Sequence, residues 1–301
     1  MNILIVCLNP TFQRTMIFDN FNIGEVNRAK KIIFNTSGKG VNTARVLAQK
    51  GLASVVLTHL GKNRMHEMIS QCNSDNVNLL YAINSNKMRT CTTILSNNHQ
   101  TTELVEEANA VDENCAKEIV EIFNKNLNYF DLLIITGTRA PGYDKNIYAD
   151  FVKKAKDNNK TVILDICKEE LKKCLPYKPN IIKPNLSEFC KTFFDLDLKE
   201  NEDSDFIKEK TINKMKEIYD EYKTISIITR GSRPIWVYDN GFYEVKPYDF
   251  DKIVNTVGCG DTFLASLSYS ISKNIPLKEA IENATKDAAI NASVLIPGSL
   301  K

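Results

Sequence analysis

Short apolar runs alternate along this chain with stretches whose apolar residues recur at helical spacing. The runs at residues 3–8, 54–60, 132–136, 161–166, 180–183 and 225–229 are rich in Ile, Val and Leu and mostly lack polar alternation. Parallel strands covered by helices on both faces read this way. Residues 41–49, 113–124, 144–158, 206–222, 262–273 and 277–295 carry the helical period. From about residue 130 onward strand and helix alternate, which predicts a doubly wound α/β sheet with right-handed crossovers.

Two segments break that rhythm. Residues 14–34 mix apolar and polar positions at strand-like spacing (Met16, Phe18, Phe21, Ile23), and residues 88–105 do the same around a turn-like Ser96-Asn97-Asn98. They predict antiparallel strands outside the parallel core, forming a small β layer over one edge of the large unit. The alternative places them as edge strands of the main sheet. The expected organisation is one α/β unit spanning residues 1–301, with a β lid from about 12–35 and 86–106. The charge run at 197–205 (DLKENEDSD) reads as a solvated loop.

Composition narrows the function. With 301 residues the chain can bury most of the surface it exposes when unfolded. Its 39 basic and 37 acidic residues leave a net charge of +2, which argues against a nucleic-acid stripe. No apolar run approaches the ~20 residues of a membrane span. The opening MNILIVCLNP reads as a first strand and not a signal peptide, so the cytoplasm is the expected location. The eight cysteines form no C-x-x-C, and His59, His66 and His99 are not spaced beside them as ligands, so neither a zinc site nor a disulfide framework is expected. Only eight of the basic residues are Arg, so an Arg inside a loop motif stands out.

Three segments carry candidate chemistry. In NTVGCGDTFLA (255–265), Gly258, Cys259 and Gly260 precede an apolar-periodic helix. Glycines there bring N–H groups close to a ligand, and the unpaired first N–H groups of a helix favour an anion. Asp261 beside such a pocket would repel a phosphate, unless it takes the proton from the hydroxyl attacking that phosphate. The alternative is a glycine turn with Asp261 as a helix cap. In TSGKGVNTARVL (36–47), Gly38 and Gly40 again precede a helix. Thr43 stands where a dinucleotide fingerprint needs its third Gly, and no P-loop pattern occurs. What remains is a close-approach loop with a cation (Lys39) and an amide (Asn42), suited to an anionic polyhydroxyl substrate; the alternative is a tight loop packed on a sheet. In IKPNLSEF (182–189), Asn185 and Glu188 lie three apart at the end of a buried strand. They could support a magnesium–phosphate shell through water, or simply begin a helix.

Together these segments resemble the PfkB, or ribokinase-like, carbohydrate kinases. NTVGCGD is similar to that family's G-x-G-D signature, TSGKGVNTARVL to its N-terminal glycine motif, and KPNLSE to its N-x-x-E motif. Leu8-Asn9-Pro10, GEVNRA at 24–29, Arg89-Thr90 with Thr102-Glu103 and Glu107, and Thr136-Gly137-Thr138 with Pro141-Gly142 resemble the sugar-phosphate branch, which includes 1-phosphofructokinase and tagatose-6-phosphate kinase. The resemblance implies a doubly wound sheet with a small β lid, and lids that pair into a homodimer. It implies ATP and Mg2+, with phosphoryl transfer to fructose 1-phosphate, fructose 6-phosphate or tagatose 6-phosphate. Asp261 would be the base, and Gly258, Cys259 and Gly260 the anion hole. Gln13, Arg28, Gly38, Lys39, Gly40, Asn42, Arg89 and Thr138 would hold the sugar phosphate. Lys183, Asn185, Glu188, Thr229, Gly231, Asn255 and Asn291 would lie on the nucleotide side, with Glu188 reaching the metal through water.

Four departures qualify the resemblance: Gln13 replaces an Asp that binds sugar hydroxyls, Cys259 an Ala, Pro234 a Gly, and Arg139-Ala140 a Leu-Pro pair. The alternatives are a kinase of an unphosphorylated sugar or nucleoside, and a catalytically silent relative used for binding. A silent copy would have no need of Gly258, Gly260 and Asp261.

Overall fold

The predicted apolar runs become strands of a nine-stranded sheet in a computed structural model that describes residues 1–96, 101–250 and 253–301. In chain order the elements are β1 (Ile3–Val6), β2 (Thr11–Phe18), β3 (Lys31–Ser37), α1 (Lys39–Gln49), β4 (Ser54–Gly61), α2 (Met65–Ser74), β5 (Asn78–Asn84), β6 (Thr90–Ser96), β7 (Thr101–Leu104), α3 (Glu113–Asn126) and β8 (Leu132–Thr136). There follow α4 (Ile147–Asp157), β9 (Thr161–Asp165), α5 (Lys168–Cys174), β10 (Ile181–Ile182), α6 (Leu186–Phe194), α7 (Asp205–Tyr222), β11 (Ile225–Arg230), β12 (Arg233–Tyr238), β13 (Phe242–Val245), α8 (Cys259–Ser272) and α9 (Leu277–Ala292).

The large sheet runs β13-β12-β11-β10-β9-β8-β1-β4-β5 and is parallel from β11 to β5. The β11–β12 and β12–β13 pairs are antiparallel. Alternating side chains of β1 feed two cores. Leu4 and Val6 pack with Phe123, Phe151, Phe189 and Met215, from α3, α4, α6 and α7. Ile3 and Ile5 pack with Val41, Met68, Phe263 and Ile281, from α1, α2, α8 and α9. Burying each such side chain contributes about 1.5–3 kcal/mol, so both faces of the strand must be apolar. That is why its sequence shows no alternation.

From β1 the chain order proceeds outward through β4 and β5, whereas from β8 it proceeds the other way through β9, β10 and β11. The reversal between β1 and β8 is a topological switch point, and ligands of such sheets bind beyond the strand ends there. Two loop residues close this gap: Asn9 Nδ2 donates to Thr138 Oγ1 at 2.8 Å.

A second sheet, of order β3-β2-β6-β7, holds the two segments that broke the α/β rhythm. β2–β3 and β6–β7 are antiparallel, as expected. β2 and β6, however, pair in parallel. Between β3 and β6 the chain makes α1, β4, α2 and β5 before it returns, and such a crossover permits a parallel partner that a hairpin does not. Arg64, just before α2, ties this sheet to the large unit: its guanidinium lies 3.9 Å from the Phe12 ring centroid and 4.4 Å from that of Phe34. Of the expected turn, Asn97 and Asn98 lie outside the described residues, as does His99.

The charge run is not merely solvated. Asp203 pairs with Arg230 at 2.9 Å and Arg233 at 2.8 Å, and Glu200 accepts from the Gly231 amide at 2.9 Å, so the run is anchored on the β11–β12 turn. Among the described residues no helix is long and apolar enough to cross a membrane.

Candidate active site

The two glycine motifs start two helices side by side. Gly38 caps α1 with φ 107°, and Gly258 caps α8 with φ 84°, both in the region that L side chains avoid. A Cβ on Gly258 would lie 2.3 Å from the Gly298 nitrogen, so the close approach also excludes any other residue. Neither helix has a side-chain cap, which leaves its first N–H groups as donors for an anion, apart from Cys259 N–H, which donates to Thr256 O at 3.4 Å. Across this junction Asn42 Nδ2 donates to Asp261 Oδ2 at 2.8 Å.

Asp261 is 7% exposed. Burial pushes its carboxyl up to about 6; Lys39, the Asn42 hydrogen bond and Lys183 oppose that shift, and the Asp165 charge adds to it. It remains mostly ionised at neutral pH and is a stronger base than an ordinary aspartate. Any activity that needs the ionised carboxylate of Asp261 is therefore expected to fall on the acid side with an apparent pKa near 6. A pH–kcat profile from 5 to 8 checks this.

Beside it runs a chain of alternating charge. Lys183, at the end of β10, is 2% exposed and pairs with Asp165 Oδ1 at 3.0 Å. Lys39 lies 3.4 Å from Asp165 Oδ2 and 3.4 Å from Glu188 Oε1. Thr136 Oγ1 donates to Asp165 at 2.9 Å. Burial works against the charge on Asp165, but Lys183, Lys39 and the hydrogen bonds hold its carboxyl below the usual range. Burial likewise works against the Lys39 ammonium, and the carboxylates of Asp165, Glu188 and Asp261 hold it well above the usual lysine range. Lys183 Nζ would be 3.9 Å from a Cβ on Gly260, which places it beside the start of α8. Asn185 and Glu188 form a reciprocal capping box at the start of α6, with Glu188 N to Asn185 Oδ1 at 2.7 Å and Asn185 N to Glu188 Oε2 at 3.0 Å.

The structure thus brings Lys39, Asn42, Lys183, Glu188 and Asp261 into one neighbourhood around Asp165. Sequence reasoning missed Asp165. Its signal was an acidic residue closing an otherwise apolar strand (TVILD), at the end where parallel sheets bind ligands.

Other expected residues are placed differently. Arg89 donates to the Asn9 and Glu106 carbonyls, each at 3.2 Å, while its Nε is buried without a partner. Arg28 is exposed between β2 and β3, with no hydrogen bond or ion pair to a described residue. Gln13 is 4% exposed and donates to Thr93 Oγ1 at 2.7 Å. Thr138 is exposed at the switch point, and Gly40 packs against Cys7. Thr229 bridges to Asn185, and Gly231 lies exposed on the β11–β12 turn.

Asn255 and Asn291, expected on the nucleotide side, lie behind the 257–261 loop. Both are fully buried, and their amides serve the protein. Asn255 donates to Leu295 O at 3.0 Å and accepts from Val257 N at 3.1 Å. Asn291 donates to Val257 O at 3.0 Å and accepts from Thr262 and Ser299. They shape the 257–261 loop from behind, because every strong hydrogen-bonding group in that tight turn must find an internal partner.

Comparison with known proteins agrees with this architecture. Residues 6–295 match the family described as pfkB family carbohydrate kinase, and the chain belongs to that family. It is an ATP-dependent phosphotransferase of the carbohydrate-kinase class. Among curated relatives, tagatose-6-phosphate kinase of Staphylococcus epidermidis is 27% identical over 293 residues, covering 96% of this chain and 92% of the relative. Among solved structures, phosphofructokinase-2 from Escherichia coli in complex with substrates and products superposes with a TM-score of 0.85 at 18% identity, over 97% of this chain and 93% of that one. A possible 1-phosphofructokinase from Thermotoga maritima also gives 0.85 at 18% identity, over 97% and 92%. The fold is ribokinase-like, with the second small sheet present as the resemblance implied.

Proposed function

We propose that this protein transfers the γ-phosphoryl group of ATP to a hydroxyl of a phosphorylated ketohexose, with Asp261 as general base. The observation that carries the reading is the pairing of Asp261 with Asn42 at 2.8 Å, where two uncapped helix N-termini meet. A base there lies next to donors suited to the charge that develops on the phosphoryl group.

Asp261 takes the proton of the attacking hydroxyl. The N–H groups at Gly258, Cys259 and Gly260 hold the equatorial oxygens of the phosphoryl group in transit, and the Lys183 ammonium beside Gly260 adds a fixed positive charge. Mg2+ would neutralise the nucleotide phosphates. Glu188 suits that role through water: it is an acidic side chain, 27% exposed, and its partner Lys39 stands off at 3.4 Å. Asp165 suits direct coordination less well, since Lys183, Lys39 and Thr136 already engage it. The nucleotide would lie toward Thr229 and Gly231. Closing the β lid over the sugar would exclude water as a competing acceptor. Ile32 and Leu104, 57% and 54% exposed on one face of that sheet, support pairing of two lids into a homodimer.

The relatives named for tagatose 6-phosphate and fructose phosphates support a phosphorylated substrate. Arg89 would grip its phosphate with Thr138, the buried Nε being an unused donor. A kinase of an unphosphorylated sugar remains the second reading, favoured by one observation: Lys39 already faces two carboxylates. Arg89→Ala decides between them. It is expected to raise KM for the sugar phosphate about tenfold or more while changing KM for the free sugar about twofold at most. Equal losses on both substrates would remove Arg89 from the phosphate grip.

A further inference from the structure

Arg45 lies on α1, three residues beyond Asn42, and is 2% exposed. Its guanidinium is fully engaged. Nε donates to Asp75 Oδ2 at 2.7 Å, Nη2 to Thr36 O at 2.6 Å, and Nη1 to both Pro297 O and Asn42 Oδ1 at 3.1 Å. Ser37 Oγ donates to the same Asn42 oxygen at 3.1 Å. The motif analysis gave Arg45 no role, and a structural ion pair with Asp75 needs only its Nε.

We propose that Arg45, with Ser37, acts as a positioning residue for the base: the two donors lock the Asn42 side-chain amide so that its nitrogen, and never its oxygen, faces Asp261. This rests on the reading of Asp261 as the base. The logic is one of donors and acceptors. A guanidinium has no acceptor, so the group of Asn42 that faces it must be the oxygen. The amide nitrogen then has one direction left, toward Asp261 Oδ2, and it meets that oxygen at 2.8 Å. A flipped amide would set oxygen against a carboxylate on one side and nitrogen against a cation on the other. With Oδ2 held, Oδ1 has no hydrogen bond to a described residue and is the oxygen that receives the proton.

The surrounding packing supports the same role. A Cβ on Gly298 would lie 2.3 Å from Asn42 Cβ, and one on Gly258 would lie 2.3 Å from Gly298 N. The 297–298 segment is therefore wedged between the amide and the anion loop. Arg45 holds that segment by the Pro297 carbonyl with the same Nη1 that holds Asn42. One buried cation thus stands behind both the base and the loop it serves.

The test is the pH dependence of kcat. The charged groups facing Asp261 are Lys39 on α1, Asp165 on β9 and Lys183 beyond β10. All are retained in Arg45→Lys, Ser37→Ala and the control Asp75→Asn. Losing a well-aimed hydrogen bond to a carboxylate is expected to move the acid limb up by about one pH unit in Arg45→Lys, and by about half a unit in Ser37→Ala. In Arg45→Lys, kcat falls about tenfold with KM for ATP within about twofold. Asp75→Asn, which removes only the negative charge facing Nε and keeps an acceptor there, leaves the limb in place. An unmoved limb in the folded variants overturns the proposal and makes Arg45 purely structural; if Arg45→Lys does not fold, Ser37→Ala alone decides by the same criterion. Asp261→Asn separates the two levels: near-normal turnover there refutes the base itself, whereas a dead Asp261→Asn beside unmoved limbs refutes only the positioning.

Discussion

Asp261→Asn is expected to lower turnover by at least about 10²-fold while leaving ATP binding largely intact. The substitution keeps the shape of the side chain and its place beside Asn42, but it removes the lone pair that accepts the proton in the proposed reaction. It also removes a buried charge. The folded-state carboxyl sits near 6 against 3.8 for an ordinary aspartate, so the folded protein holds its proton more tightly than the unfolded chain. Stability is thus lost as pH rises through that window, and at neutral pH the ionised group is a net cost. The amide variant should therefore melt at the same temperature as the native protein or higher. Loss of turnover with an unchanged or raised melting temperature distinguishes a missing base from a damaged fold. Near-normal turnover would remove Asp261 from that role.

Lys183→Met is expected to show the opposite signature, with stability and turnover falling together. Lys183 and Asp165 are 3% and 2% exposed and 3.0 Å apart. Removing one member of a buried ion pair leaves the other without its nearest counter-charge, which costs about 3–5 kcal/mol. The lower end applies here, because Lys39 and Thr136 still face Asp165. Adding Asp165→Leu should restore most of the stability, since an apolar pair of similar volume removes the stranded charge. Turnover should not return, because the cation beside Gly260 is still missing. Urea melts and kcat for both variants check this. A double variant that recovers activity with stability would make the pair structural only.

The sequence was most legible where burial leaves the fewest choices. β8 was read to the residue because a central parallel strand must be apolar on both faces, and Leu132–Thr136 is fully buried. The β12–β13 hairpin went unread. Its signals were there to read: Ile235-Trp236-Val237 is a buried apolar run, and Asn240-Gly241 before Phe242 is a hairpin-turn pair. The start of α6 was legible only as one of two readings: Asn185 and Glu188 were read for chemistry or for a helix start, and the two side chains do begin the helix. Glycine loops and the residues just inside their helices were legible as a site, because their backbone needs are local. Asp165 and Arg45 were not. Their meaning comes from partners far along the chain, such as Lys183, Lys39 and Pro297, and no spacing rule announces a tertiary contact. The internal hydrogen bonds of Asn255 and Asn291 were hidden for the same reason, since only the fold reveals which groups their amides meet.

An ADP-release panel with the native protein, ATP and Mg2+ tests the proposed reaction itself. It compares fructose 1-phosphate, fructose 6-phosphate and tagatose 6-phosphate with fructose, ribose and adenosine. A phosphorylated ketohexose is expected to give the highest kcat/KM, and Asp261→Asn to abolish that signal. A free sugar or nucleoside as the best acceptor, or no ADP release above the ATP-only background with any of the six, would contradict the proposed reaction.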